Sequence, residues 1–518
     1  MAISSTSHES VTSDTRYKPT LSFANIINMN VGFFGIQYSF GLQQSAVNPI
    51  YDMLGASAHE IPILNIAGPV TGLLIQPIIG AMSDKTWSPR WGRRKPYFFI
   101  GAMICSICLF LYPFSSTLWM AAGLLWILDV GNNTAMEPYR AFIADTLNKD
   151  QQALGFQAQS FFTGFGQTLA NVSLFVFPMM FYGQTGSLPT WVYASFFLGA
   201  ICSIGSVWWS MRTTKEIPPT QEEIDHIEAY NMGKPNKLFQ FLGYVLSVSV
   251  VPAIVYIILQ KSIGTNLANF MILPIFFVWI FWLAKWLEKN QNHSLVKSIY
   301  QLVSPLTEII DSIKTMPKIM WQLALVYLFQ WYALFCYWQN SAKSVGLSVF
   351  GVTPASDKEK YAEAVSLTGL VNGWYNIVTF LTAFMLIYFA KKYGSKYVHF
   401  ACLILAGFGF LAFPFIANKT LLFVAISGFG IGWASMMGIP YLMVVNDIPK
   451  ERYGVFMGII NMMIVIPMII QTLTFGFILE NFLENDPRNA ITFAGFLLIL
   501  AALATLMIKN KKETALAK

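Results

Sequence analysis

Charge is scarce in this chain. Asp, Glu, Lys and Arg make up 11% of its 518 residues, against 55% hydrophobic residues. A water-soluble enzyme of that length needs far more charge to cover its surface, so that class is excluded. Histidine is scarce too, and the five, at positions 8, 59, 226, 293 and 399, have no metal-ligand or catalytic spacing. The five cysteines, at 105, 108, 202, 336 and 402, all fall in apolar stretches. Cys105-x-x-Cys108 has a redox spacing, but inside an apolar run it reads as two small core residues. We expect no disulfide framework, no metal, no cofactor and no catalytic residues. The first twenty residues lack an apolar signal region and a cleavage site, and read as a polar cytoplasmic tail.

What the chain does have is long apolar runs, and a mean hydropathy of +0.53. Runs near 22–46, 61–83, 96–114, 118–145, 153–182 and 190–211 are each long enough for about 30 Å of hydrocarbon. Two more follow near 239–260 and 266–287, then six near 317–342, 364–390, 397–416, 420–446, 453–480 and 489–508. The reading is an all-α, polytopic membrane protein of fourteen helices with both termini on one side. Lysine and arginine set the orientation. With the N-terminus inside, only Lys261, Lys343, Lys358, Lys360, Lys419 and Arg488, 6 of the 33, fall outside. The net charge of +7 is then a topology signal, not a nucleic-acid footprint. Thr220 and Glu223 have capping-box spacing. Leu306, Ile309, Ile310 and Ile313 make an apolar stripe over 305–317 that we expect to lie in the membrane interface.

One span carries chemistry. Residues 120–145, MAAGLLWILDVGNNTAMEPYRAFIAD, hold Asp129, Asn132, Asn133, Glu137 and Arg140. A charge in the bilayer centre costs roughly 2.5–3.5 kcal/mol on insertion scales, so such groups mark ion or substrate pathways. Asn132 and Asn133 share a helix face with Asp129. Glu137 and Arg140, three apart, can pair with each other, which leaves Asp129 without a partner on its own helix.

The chain also repeats. GRRKPYFF at 92–99 aligns with GSKYVHFA at 394–401, and EPYRAFIADT at 137–146 with IPYLMVVNDI at 439–448, at one offset of 302. Parallel repeats are a transporter architecture with the site between the halves. The repeat predicts a six-helix half over 22–211, another over 317–508, and a segment over 212–316 with two inserted helices. Tails of 1–21 and 509–518 flank them on the cytoplasmic side. Asp129, Glu137 and Arg140 map onto Ile431, Ile439 and Leu442. The second half therefore folds without those charges, which favours function over scaffolding.

At this point the residues carry a resemblance. GAMSDKTWSPRWGRRKPYFFIGA at 80–102 resembles the loop between the second and third helices of the major facilitator superfamily. RWGRRKP, with LDVGNNTAMEPYRAFIAD at 128–145, resembles the sucrose/proton symporters and their bacterial relatives, in the glycoside–pentoside–hexuronide cation-symporter group. GIQYSFGLQQSAVNPIYDMLG in the first helix and GIINMMIVIPMII in the eleventh core helix agree. The resemblance implies a major facilitator fold of two six-helix halves, here with two extra helices between them. It also implies sugar transport by alternating access, driven by protons. Glu137, where plant members usually carry a small residue, and the inserted pair depart from the pattern. FQWYALFCYWQNS also lacks the Asp of many relatives.

In that frame the loop reads as a latch. Asp84 ends one helix, Arg93, Arg94 and Lys95 begin the next, and the carboxylate can face the positive helix end near Gly454. The gating candidates are Asp84, Arg93, Arg94, Glu137, Arg140 and Asp145. Asp129 is the proton-coupling candidate. A sugar needs neutral hydrogen-bonding groups and aromatic faces, so Asp129, Gln43, Asn132, Asn133, Trp331, Tyr332, Asn372 and Asn461 are the substrate-binding candidates. The expected partners are a small sugar, a proton as co-substrate and the lipid bilayer, with no nucleic acid and a monomer as the functional unit. A bacterial inner membrane and a plasma membrane fit equally. Sodium coupling, uncoupled transport and a non-transporting sugar sensor remain the alternatives.

Overall fold

The computed structural model describes residues 18–54, 67–181, 183–186, 188–232, 236–290, 300, 307–353, 356–445 and 447–508. Among the described residues, fifteen helices of eleven residues or more carry the fold. The first six are α1 (Phe23–Met53), α2 (Ala67–Asp84), α3 (Lys95–Leu111), α4 (Leu118–Thr146), α5 (Lys149–Met180) and α6 (Thr190–Thr213). A short helix α7 (Gln221–Asn231) leads to α8 (Lys237–Ile263) and α9 (Thr265–Lys289). The last six are α10 (Lys318–Val345), α11 (Lys358–Tyr393), α12 (Ser395–Ala412), α13 (Lys419–Val444), α14 (Tyr453–Phe482) and α15 (Pro487–Leu506). Among the described residues, nine helices meet both length and apolarity requirements for crossing a membrane. Helix α4 is not one of them; Asp129, Asn132, Asn133, Glu137 and Arg140 all interrupt its apolar run. The chain is a multi-pass, all-α membrane protein; a two-residue ribbon pairs Gln184–Thr185 with Leu188–Pro189.

The internal repeat is visible in local structure. Helix α3 ends in a 3₁₀ turn over Tyr112–Phe114, and α12 ends in another over Phe413–Phe415. Each turn carries a proline, which cannot continue a regular helix without losing a donor. The next helix then starts on a side-chain cap, Thr117 for α4 and Asn418 for α13. Gly92 and Gly394 both take positive φ, +79° and +87°, in the two equivalent loops. In the first half α1 packs on α5 and α6, and α4 on α2 and α3; in the second α10 packs on α14 and α15, and α13 on α11 and α12. The halves meet along α2 with α14, and along α5 with α11 and α13.

The inserted helices differ. Only 17% of the apolar window of α8 is buried inside the protein, so most of its side chains face lipid. Its buried edge, Tyr244 and Val248, packs with Leu283, Ala284 and Leu287 of α9. The pair leans on α2 and α14, one helix from each half. The Thr220–Glu223 capping box forms at the start of α7. The stripe expected in the membrane interface does otherwise: residues 307–314 are helical, and Ile309 and Ile310, both 4% exposed, join the main core. An amphipathic stripe fits a protein groove as well as a lipid surface, and here the groove lies beside Lys85 and Tyr230, which contact Glu308. Leu306, the start of the second run at 61–66 and the segments 1–17 and 509–518 lie outside the described residues.

Topology gives one testable expectation. Single cysteines at positions 52 and 419 should react with an impermeant thiol reagent from outside, and those at 95 and 392 only from inside. Labelling at 95 in sealed cells overturns the orientation; inner exposure at 419, with 52 still outside, overturns the helix count.

Candidate functional site

Two polar assemblies stand out against the apolar bundle, one at the end of α2 where it meets the start of α14 and one along the seam between the halves. The first is built on Asp84, the last residue of α2. Its two carboxylate oxygens accept hydrogen bonds from the Gly454 and Val455 N–H groups, both 2.9 Å, at the start of α14. Those donors have no intrahelical acceptor, and the helix end carries partial positive charge, so a carboxylate suits them. Arg94 stands 2.6 Å from Asp84 and 2.8 Å from Asp145, and its Nη1 donates to the Ser83 hydroxyl at 2.6 Å. The cluster joins α2, α3 and α4 of the first half to α14 of the second, and Arg94 is fully buried in it.

Glycine makes the approach possible. A Cβ on Gly80 would stand 2.1 Å from the Gly454 carbonyl oxygen, and one on Gly458 2.6 Å from the Pro77 Cα. Arg93 takes a different place: its Nη2 lies 4.0 Å from Glu223, outside the Asp84 cluster. Its backbone N–H, with those of Arg94 and Lys95, donates to Glu216 at 2.7, 3.0 and 2.9 Å. Burial pushes the Glu216 carboxyl up, and the three backbone donors act against that shift. Glu216 was not singled out from the sequence. One acidic residue in a Pro-rich loop 120 positions away gives no local sign of capping α3.

The seam begins at Asp129, which is 2% exposed. Gln43 of α1 comes alongside its carboxyl, and no other described side chain makes a hydrogen bond to it. Tyr51 and Tyr112, both fully buried, lie close to it. No described lysine or arginine pairs with Asp129. Its two neighbours on the face are tied elsewhere. Asn132 donates to Ser39 at 3.0 Å and accepts from Cys105 at 3.1 Å. Asn133 donates to Thr71 at 3.0 Å and accepts from Gln76. Both asparagines therefore bind α4 to its neighbours α1, α2 and α3.

Eleven residues along α4, about 20° round the helix from Asp129, Arg140 lies on the same face. Its Nη1 is 2.7 Å from Glu137, and its guanidinium stacks 4.7 Å from the centre of the Tyr441 ring on α13. Polar groups of both halves are also buried without hydrogen-bond partners among the described residues. They are Gln157 on α5, Tyr327, Gln330 and Trp331 on α10, Trp433 and Tyr441 on α13, and the Asn461 amide nitrogen on α14. Buried polar groups are ordinarily satisfied, so an orphaned cluster on facing surfaces has the character of a ligand site. Trp331 and Trp433 set their rings 5.7 Å apart at 72°.

Of the substrate-binding candidates, the structure brings Asp129 and Gln43 together and places Trp331 and Asn461 on the seam. Tyr332 turns away: its hydroxyl meets Thr474 at 2.9 Å and its ring packs on Phe475 and Phe493. Asn372 accepts from the Tyr337 hydroxyl at 2.8 Å within the second half. Gln157, Gln330, Tyr327, Trp433 and Tyr441 escaped the sequence reading. The FQWY string at 329–332 held the nearest signal, since Gln330 is a polar residue beside Trp331.

A family model for the Major Facilitator Superfamily matches residues 29–241 and 238–472. The chain belongs to the Major Facilitator Superfamily. Among similar curated proteins are two named sucrose transport proteins. SUC3 of Arabidopsis thaliana is 31% identical over 140 residues, 23% of each chain. SUT5 of Oryza sativa is 33% identical over 133 residues, 21% of this chain and 25% of that one. The aligned part thus spans about a quarter of these relatives' length. Two solved structures share the fold. The proton:xylose symporter XylE, bound to 6-bromo-6-deoxy-D-glucose, has a TM-score of 0.58 at 15% identity, with 94% of this chain and 96% of that one covered. The facilitator transporter FucP in its outward conformation gives 0.57 at 12% identity, with 94% and 99% covered. In this facilitator chain Asp84, paired with Arg94, joins α2 of the first half to the start of α14 in the second.

Proposed function

We propose that this protein is a proton-coupled symporter that imports a neutral glucosyl disaccharide, such as sucrose or maltose, by alternating access. The observation that carries the reading is Asp129: a buried carboxyl without a cation, beside Gln43, on the helix face that leads to the orphaned polar seam. Desolvation favours the neutral form of an isolated carboxyl, so the group suits a proton that comes and goes. The relatives named for sucrose transport and the proton symporter of the same fold support the substrate class and the driving ion. The seam groups are amides, indoles and phenols, which suit hydroxyls and the C–H faces of sugar rings. The unit is a monomer in a cell membrane, with both termini cytoplasmic, halves over 22–211 and 317–508, and a connecting segment over 212–316.

The gate follows from the inner cluster. With Asp84 and Arg94 engaged, the sugar enters from outside. Their release lets α2 and α14 part and opens the inner side. Glu137, Arg140 and Asp145 move with α4.

Uptake of labelled disaccharide into proteoliposomes under an imposed pH gradient tests the reading. Unlabelled sucrose and maltose should displace one another, and free glucuronides should fail. Strong, specific glucuronide transport by the wild-type protein overturns the substrate assignment; absence of any glycoside uptake overturns the transport reading itself.

A further inference from the structure

A groove between α11 and α12 takes no part in the latch or the seam. Gly394 alone joins the two helices, at φ +87°, so both leave from one point. Beyond that turn they enclose about 480 Å³, within the roughly 300–1,000 Å³ of ligand pockets. Ala401 and Cys402, two small residues, lie in the lining between Met385 and Tyr393 of α11 and Tyr397 and Leu405 of α12. Those four flanking side chains are each about half exposed. The lining runs from Thr382 to Tyr393 on one helix and from Tyr397 to Leu405 on the other. At 1.5 Å per residue that is about 16 and 12 Å, close to half of the roughly 30 Å of hydrocarbon.

The end of the groove at Gly394 is basic. Lys391 and Lys392 close α11, and Lys396 stands in the first turn of α12. The Lys392 ammonium lies 5.1 Å from the centre of the Tyr393 ring, and that of Lys396 5.0 Å from Tyr397. Both rings line the groove, which ties these charges to its mouth. Lys391 and Lys392 are exposed and have no acidic partner among the described residues.

We propose that this groove holds one anionic phospholipid of the inner leaflet, its phosphate on Lys391 and Lys392 and an acyl chain along Ala401. The groove is as long as one leaflet, whereas a spanning helix of a second copy needs a channel twice that length. Ammonium groups give a phosphate charge-assisted hydrogen bonds and draw anionic headgroups to that face. A neutral sterol would leave both ammoniums unused. The site is built from α11, α12 and α13 of the second half alone, so it does not depend on the sugar assignment.

The test is native mass spectrometry of the purified full-length protein, offered phosphatidylglycerol and phosphatidylcholine with the same chains in equal amounts. The wild type should retain one phosphatidylglycerol, at least tenfold over phosphatidylcholine. Lys391→Gln with Lys392→Gln should lose that preference. Ala401→Phe, at an exposed position, fills the groove without touching a charge and should lose the bound lipid. Lys285→Gln with Lys289→Gln, exposed on α9, should change nothing. Equal retention of the two lipids by the wild type overturns the proposal. So does an unchanged preference in the Lys391 and Lys392 variant, full retention in Ala401→Phe, or a lost preference in the α9 variant. Glycerol 3-phosphate, a headgroup without chains, should fail to displace the lipid; displacement makes the site an ion site and removes the acyl chain from it. Two protein copies held together with no lipid put a second chain on the groove instead.

Discussion

Asp129→Asn should abolish proton-driven sugar accumulation while leaving a folded protein that still exchanges sugar between equal concentrations. Asparagine matches aspartic acid in shape and in hydrogen bonding, yet cannot ionise. When the site is outward-facing and wet, Asp129 can take a proton. Neutral, it can cross the dry occluded state beside Gln43 and hold a sugar hydroxyl. On the inner side a higher pH removes the proton, and the charged carboxylate favours return to water over the closed bundle. The driving force is large enough to measure. One charge moved through 100 mV supplies about 2.3 kcal/mol. At about 1.4 kcal/mol per tenfold, that is on the order of fifty-fold accumulation for one proton per sugar. The Asn variant should show none of it. The measurement is uptake under an imposed pH gradient, with and without sodium. A variant that still concentrates sugar, or a wild type driven by sodium, removes Asp129 from the role. Hard cations want several oxygen ligands, and among the described residues Asp129 is joined only by Gln43.

The second large effect is expected at the inner cluster. Arg94→Leu strips one cation from two carboxylates, Asp84 and Asp145, that it meets at 2.6 and 2.8 Å. Removing one member of a buried ion pair costs about 3–5 kcal/mol. The partners of Arg94 all lie in the first half, so the cost reaches the inner-closed state through Asp84, whose carboxylate binds across to α14. A loss of about 3 kcal/mol shifts the closed-to-open ratio by roughly a hundredfold. A cysteine at position 157, placed in the seam in a background free of the five native thiols, should then react from the inner side at least ten times faster. Arg94→Lys should not restore closure, because one ammonium cannot span Asp84, Asp145 and the Ser83 hydroxyl in a fixed fork. Gly80→Leu should give the same opening without touching a charge, since its side chain must displace the Gly454 carbonyl. Unchanged reactivity in both Arg94→Leu and Gly80→Leu refutes the latch.

Part of the site was legible because its chemistry is local. Asp129 shows in the sequence because a charge inside an apolar run has few innocent explanations, and its isolation follows from helix spacing alone. The contact of Asp84 with α14 was legible for a related reason. A carboxylate at one helix end and unpaired N–H groups at another attract each other whatever lies between, and the resemblance to the major facilitator loop implied which ends face. Asn133 shows the limit of the same reasoning. It shares the Asp129 face as expected, yet Thr71 and Gln76 use its amide, and no spacing rule foretells which neighbour reaches a polar group first. Glu216 and the 307–314 segment failed for lack of locality. One caps a helix 120 positions earlier, and the other finds a groove formed by segments distant in the chain.

The sequence by itself determined the solvent, the repeat and the apolar run that carries Asp129, Glu137 and Arg140, since hydropathy and periodicity are properties of a single segment. It also determined that Asp129, Glu137 and Arg140 belong to one half alone. Only the tertiary structure decided which polar groups are left over once the helices have met. Gln157, Gln330, Trp433 and Tyr441 look like ordinary bundle residues until α5, α10 and α13 are packed and their polar atoms find no hydrogen-bond partner among the described residues. Whether a buried amide is mortar or receptor depends on what stands opposite, and opposition is a property of the packed halves that no single helix carries.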